Sequence, residues 1–345
     1  MSKNKILIIG SLPHKNKPNT YGGTTVLMQD FIDYLDDDKI NYKFIQSNKY
    51  VFKGASFINF IYVLFKSFFL IPFSNVIMLN SSINGTLYLA PVIFVYSKIF
   101  KKKIVFRKFG GAFDITYSDY PSVLKFIANV TFLKSDIIYF ETKNLISFFS
   151  KLKKNVKWFP NVRKRNDNVV IDGVFTKRFV FISHVKLSKG VGEIVECSKK
   201  LPDDYIIDVY GPISDENINH EFFKNSKVNY CGSLKPNDVK FTLTKYDVVL
   251  LPTYYSGEGY PGILIEAYSL GIPVITTLWK SIPEIVDHNK TGILIEPKSI
   301  SELEEAILTF DSSNYLNFRR NAINKFSDFD REIVNAKVME DLEQV

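Results

Sequence analysis

Cysteine is nearly missing from this chain of 345 residues: Cys197 and Cys231 are its only two, so no disulfide framework staples the fold. Histidine is scarce at four residues, and no Cys/His spacing has the form of a zinc site. No RNP-like aromatic segment occurs either, which makes nucleic acid the weaker choice of partner. The opening residues, MSKNKILIIGS, contain an apolar run too short for the core of a signal peptide, and the cytoplasm is the expected compartment. Repeats and low-complexity stretches are absent, as is a G-x-G-x-x-G fingerprint after the first strand-like run. Only one stretch, ASFINFIYVLFKSFFLIPF at 55–73, is long enough to span a bilayer, and Lys66 interrupts it. It reads as a helix packed between sheet and surface, with a membrane-skimming helix as the less favoured choice.

What the chain does have begins with length. A chain of 345 residues exceeds the size at which one core stops growing, so two domains are expected. Hydrophobic residues at 46% and charged residues at 23% are those of a folded protein rather than a disordered one. The net charge of +8 hides an asymmetry: residues 1–165 carry 25 Lys/Arg against 9 Asp/Glu, and the remainder 19 against 27. A basic module therefore precedes an acidic one. The clusters KKK (101–103) with Arg107 and Lys108, and KLKKNVKWFPNVRKR (151–165), suggest a face drawn to anionic lipid or phosphate, or a solvated basic surface.

Strand-like runs alternate with helical ones through both halves. In the first, KILIIG (5–10), KFIQS (43–47), VIMLN (76–80), IVFRKF (104–109) and IIYFET (137–142) read as strands; in the second, FVFIS (179–183), YIIDVYG (205–211), VNYCG (228–232), VVLLPT (248–253), VITT (274–277) and GILIEP (292–297) do. This pattern predicts an α/β protein of two doubly wound, Rossmann-like domains whose strand carboxyl ends face a central cleft, where such sheets bind ligands. The expected division is 1–165, 166–325 and a C-terminal helix, 326–345, returning to the first domain.

The informative loops follow strands. SGEGYPGILIEAYSLGIPVIT (256–276) reads as loop, short helix and strand, because Pro261 suits a helix start and Gly271 with Pro273 its end. Glu258 falls in the loop before that helix and Glu266 on it, beside the apolar face. After the first strand, Gly22 and Gly23 lead into a helix, either to let backbone N–H groups approach a phosphate or as plain turn glycines. After FVFIS, His184, Lys186 and Lys189 precede another helix, where cations can offset a diphosphate. Two formal Asp-x-Asp matches, 36–38 and 328–330, read as solvated charge, so no metal is expected.

The stretch DVVLLPTYYSGEGYPGILIEAYSLGIPVITTLWKSIPEIVDHNKTGILIEP resembles the donor site of the family 4 retaining glycosyltransferases of GT-B fold, whose mark is E-x7-E, here Glu258 and Glu266. SHVKLSKGVGEIVE, IDVYG, WFPNV and the Gly-Gly loop extend the resemblance over nearly the whole length, most closely in the second half. It implies that Glu266 grips the ribose of a nucleotide, that Glu258 contacts the donor sugar, and that amides around Tyr260, Gly262 and Ile263 serve sugar and β-phosphate. Lys189 is implied to lie on the diphosphate. Two positions depart from the pattern: Ser183 and His184 stand where the family commonly has Gly-Arg, and RKFGGAFD lacks the acceptor-side histidine of many members. The implied activity is transfer of a sugar from a nucleotide diphosphate, UDP favoured, to a glycan acceptor expected to be lipid-linked, in bacterial O-antigen or capsule synthesis, without a cofactor. A nucleotide-sugar 2-epimerase and a non-catalytic sugar-nucleotide-binding protein stay open as alternatives.

Overall fold

Runs such as Leu7-Ile8-Ile9 and Val249-Leu250-Leu251 are apolar at every position rather than at alternate ones, the pattern of a strand covered on both faces. In the computed structural model, which describes residues 5–14, 22–81, 83–166, 169, 171 and 174–345, these runs are inner strands of two six-stranded sheets. Residues 15–21, in the loop before Gly22, lie outside the described residues.

The first sheet contains β1 (Ile6–Gly10), β2 (Tyr42–Gln46), β3 (Val76–Ser81), β4 (Lys103–Lys108), β5 (Ile137–Phe140) and β6 (Val156–Trp158), in the order β2-β1-β3-β4-β5-β6. All its pairings are parallel. The second contains β7 (Arg178–Ile182), β8 (Ile206–Tyr210), β9 (Val228–Tyr230), β10 (Val248–Leu251), β11 (Val274–Thr277) and β12 (Gly292–Ile295), in the order β12-β11-β10-β7-β8-β9, again all parallel. Strand order reverses between β7 and β10 in the second sheet and between β1 and β3 in the first. In an open α/β sheet the loops at the carboxyl ends of two such strands diverge and leave a crevice. The architecture is α/β, two doubly wound Rossmann-like units.

One unit comprises residues 1–162 and 331–345, the other 163–330. The expected boundaries at 165 and 325 therefore move to 162 and 330. The reason is local: the Arg163 amide donates to the Phe329 carbonyl at 3.0 Å, Arg163 pairs with Asp330 in a parallel bridge, and Phe326 and Phe329 are buried. The helix Arg331–Gln344 belongs to the first unit, where Asp341 accepts bonds from Tyr139 Oη at 2.7 Å and Lys157 Nζ at 2.5 Å.

Two features of the first unit differ from the sequence reading. Arg107 and Lys108, grouped there with the basic cluster, are buried in β4, because an inner strand of a parallel sheet has both faces covered. The Arg107 guanidinium lies 3.3 Å from the Phe159 ring centroid, and Lys108 Nζ donates to the Phe109 carbonyl at 2.7 Å. The helix Ala55–Leu70 is the second. It buries a stripe of Ala55, Asn59, Val63 and Ser67, while Phe57 and Phe65 are 70% and 64% exposed. Small and polar residues thus face the protein, Asn59 bonding the Tyr50 backbone N–H and C=O at 2.9 and 2.8 Å. The large apolar side chains point outward, the inverse of a packed surface helix. Among the described residues, Ala55–Phe73 is long and apolar enough to cross a membrane.

Candidate donor site in the second unit

The loop after β7 begins at Ser183 and ends in a short 3-10 turn, Leu187–Lys189, before the helix Val191–Ser198. Gly190 joins turn to helix at φ +84°, and a Cβ there would collide with the Pro252 carbonyl oxygen. Glycine at 190 therefore permits both the left-handed turn and the direct seating of this loop on the one after β10. The consequence is an ion pair across the switch point: Lys189 Nζ lies 2.5 Å from Glu258 Oε2, with the two side chains 13% and 9% exposed. Thr253 Oγ1 donates to the same oxygen at 2.9 Å, and Lys189 Nζ also stands 4.9 Å from the Tyr255 ring centroid.

Downstream, Pro261 caps the helix Gly262–Tyr268, whose Leu264, Ile265, Ala267 and Tyr268 side chains are buried. Glu266 is half-buried beside that face, and its Oε1 accepts from Arg163 Nε at 2.6 Å. Arg163 is the first residue of this unit. Its guanidinium covers Gly262 so closely that a Cβ at 262 would overlap it. Tyr260 is buried, with its hydroxyl donating to Glu284 Oε2 at 2.5 Å, so its side chain is structural and only its backbone is left to meet a ligand. Ile263 is half-buried on the same helix.

His184 is exposed at the start of the β7 loop, with Nδ1 3.3 Å from Ser214 Oγ. Partial desolvation of the ring, with Lys186 and Lys189 nearby, holds its pKa below the ordinary 6.5. The position where the resembling family commonly carries an arginine therefore holds a ring whose charged form is disfavoured. Gly22 and Gly23 belong to the first unit, where Gly22 caps the helix Gly23–Asp37 and its amide donates to Thr25 Oγ1 at 3.1 Å. Both glycines are exposed.

Lys189, Glu258, Gly262, Ile263 and Glu266 thus sit on two loops and one helix at the carboxyl ends of β7 and β10. The sequence reading passed over three groups that organise them: Thr253, Glu284 and Arg163. Arg163 stood inside the basic run 151–165 and was counted there as surface charge. Of the formal Asp-x-Asp residues, Asp36 accepts from Tyr42 Oη at 2.9 Å, Asp330 pairs with Arg165 at 2.7 Å and Asp328 with Lys325 at 3.2 Å.

Residues 174–326 match the model of the group 1 glycosyl transferases. A protein of Escherichia coli strain K12 named for colanic acid biosynthesis, the glycosyltransferase WcaL, is 32% identical over 115 residues, covering 31% of this chain and 28% of that protein. The amylovoran biosynthesis glycosyltransferase AmsK of Erwinia amylovora is 27% identical over 148 residues, covering 38% of this chain and 35% of the relative. The chain spans about a third of the length of these two relatives. The structure of Anabaena HepE in complex with UDP superposes with a TM-score of 0.71 at 15% identity, covering 99% of this chain and 100% of that one, and the two share the GT-B fold.

Proposed function

We propose that the protein is a retaining, metal-independent glycosyltransferase that moves a sugar from a nucleotide diphosphate, a UDP-sugar, to a lipid-linked glycan acceptor in bacterial surface polysaccharide synthesis. The observation that carries this reading is the convergence of Lys189, Glu258 and Glu266 at the switch point of the second sheet. Breaking a sugar–diphosphate bond leaves negative charge on the leaving phosphate, and a fixed cation lowers that barrier without rearranging. Lys189 is held by Glu258 and Tyr255 rather than swinging freely, so its ammonium is positioned before the substrate arrives. Glu258, one hydrogen bond away, is placed for the hydroxyls of the transferred sugar, and Glu266 for those of the ribose. The choice of UDP is supported by HepE having been solved with UDP, and the polysaccharide role by the names of the E. coli and Erwinia relatives.

The acceptor's lipid is supported by the first unit. Phe57, Phe65, Phe69 and Phe73 project outward from the 55–73 segment, and Phe68 packs edge-to-face on Tyr96 and on Phe100, just past the helix Ile83–Ile99, so the apolar face is continuous. No Asp or Glu occurs from 39 to 113, a stretch that includes Lys53, Lys66 and Lys101–Lys103. An apolar helix face rimmed by lysines suits an anionic bilayer surface, to which each lysine contributes about 1 kcal/mol. On this reading the protein is cytoplasmic and peripheral at the inner face of the membrane. Incubation with UDP-, GDP- and ADP-sugars plus lipid-linked acceptor, followed by product analysis, tests the whole: transfer with retained anomeric configuration is expected. An epimerised nucleotide sugar, or a bound but unchanged one, would replace the proposal with one of its alternatives. Liposome sedimentation tests the membrane part. Phe57→Ser with Phe65→Ser should abolish pelleting with anionic vesicles, and pelleting unchanged by that pair would assign docking to charge alone.

A further inference from the structure

We infer that Arg163 is a donor-site residue: its guanidinium stays on Glu266 and meets the diphosphate of the bound nucleotide. This rests on the donor-site reading above. Three observations lead to it. Arg163 Nε bonds to Glu266 Oε1 at 2.6 Å, so the guanidinium already touches the carboxylate assigned to ribose. The same guanidinium covers Gly262, one helical turn from Glu266, so an anion approaching Gly262 meets Arg163 first. Finally, Lys189 is matched by Glu258, so a diphosphate held there by Lys189 alone would bring charge that this pair does not balance.

The chemistry allows both contacts at once. A carboxylate offers about four lone-pair sites, so Glu266 can keep its bond to Arg163 while accepting two ribose hydroxyls. A planar guanidinium carries five N–H donors on different edges, so one edge can hold a carboxylate while another faces phosphate oxygens. Ribose and diphosphate are covalent neighbours in a nucleotide, and one guanidinium spanning Gly262 and Glu266 matches that adjacency. A residue that must be expelled from Glu266 before nucleotide binds would predict the opposite effect of its removal.

The test is calorimetric titration of the full chain and of Arg163→Met and Arg163→Lys with the diphosphate bound best among UDP, GDP and ADP, and with its parent nucleoside. Arg163→Met is expected to weaken the diphosphate about 10–100-fold, the range for losing a hydrogen bond to a charged group, and the nucleoside less than about 3-fold. Arg163→Lys should recover part of the diphosphate loss. Equal losses for both ligands would reduce Arg163 to a residue that orients Glu266, and tighter binding by Arg163→Met would make it a plug; either overturns the proposal. If Arg163→Met fails to fold, Gly262→Ala, which displaces the guanidinium by a single methyl, should show the same diphosphate-selective loss, and its absence would refute the proposal equally. Failure of the unmodified chain to bind any of the three diphosphates would instead sink the donor-site reading itself.

Discussion

Removing Lys189 should damage the fold before it damages catalysis, and a second substitution should repair the fold without restoring catalysis. The Lys189–Glu258 pair is 2.5 Å long, with side chains only 13% and 9% exposed, which places it with buried ion pairs rather than with surface pairs worth about 0–1 kcal/mol. Lys189→Met leaves the Glu258 carboxylate facing the Thr253 hydroxyl without a counter-charge in that pair. An uncompensated buried charge costs about 3–5 kcal/mol, which for a unit of 150–250 residues is a fall in Tm of roughly 6–20 °C. Adding Glu258→Gln removes the charge while keeping the shape and the bond from Thr253, so the double variant should regain most of the loss. Scanning calorimetry of the four proteins closes the cycle, and the transition of the second unit is the one to follow, because two units need not unfold together. A loss below about 1 kcal/mol in Lys189→Met would show that the pair is solvated like a surface pair. Failure of the double variant to recover would show that Lys189 is held for its packing rather than its charge. Turnover should stay absent in the double variant, since neither group assigned to phosphate and sugar is left.

Glu266→Ala should weaken nucleoside diphosphate binding by about 1.5–3 kcal/mol, and unchanged affinity in calorimetry would remove ribose from its role. Burial lowers the Lys108 pKa from 10.5 to about 8, opposed by the Glu141 carboxylate, so between those values the unfolded chain holds the proton and the folded chain does not. Stability must then rise with pH from about 8 to 10.5, by at most about 1.4 kcal/mol per pH unit from this group; denaturant titrations at pH 8 and 9.5 should show a slope that Lys108→Met flattens. Cys197 is buried and its thiol is pushed up to about 12, whereas Cys231 is exposed. A thiol reagent should therefore label one equivalent in the native protein and two in denaturant, and two under native conditions would contradict the packing of the helix Val191–Ser198.

Much of this arrangement was legible in the sequence, and the parts that were not share physical causes. Eleven of the strands among the described residues coincide with strand-like runs that period and composition locate. The strand that escaped, β6, is three half-exposed residues, Val156–Trp158, at the sheet edge. A lysine at its centre made it look like part of a charge run. The E-x7-E pair was visible because loop, proline and helix punctuate it. Arg163 was hidden because its neighbours are Lys164 and Arg165, and only tertiary contact separates a cation on solvent from one on Glu266. Burial of Arg107 and Lys108 went unseen for a similar reason: local sequence shows a basic cluster, while the covering of both faces of β4 is decided by tertiary contacts such as that of Arg107 with Phe159. The outward apolar face of the helix Ala55–Leu70 was not legible because hydrophobic content says how much apolar surface exists, not which stripe of it is buried.

The first unit is spliced from two lengths of chain separated by the whole of the second. Val338 and Leu342 fill part of its core, Tyr139 is bonded to Asp341, and Asp37 to Arg331. On a ribosome, residues 1–162 emerge first but remain without these partners until 331–345 have been made, whereas 163–330 can complete its sheet beforehand. The order of folding therefore runs against the order of synthesis: the half that is made first is finished last. In that interval the unit carrying the outward-facing phenylalanines is also the unit with an unfilled core. A nick or stop codon near 330 would accordingly be felt most at the opposite end of the sequence, in the sheet built from residues 6–158.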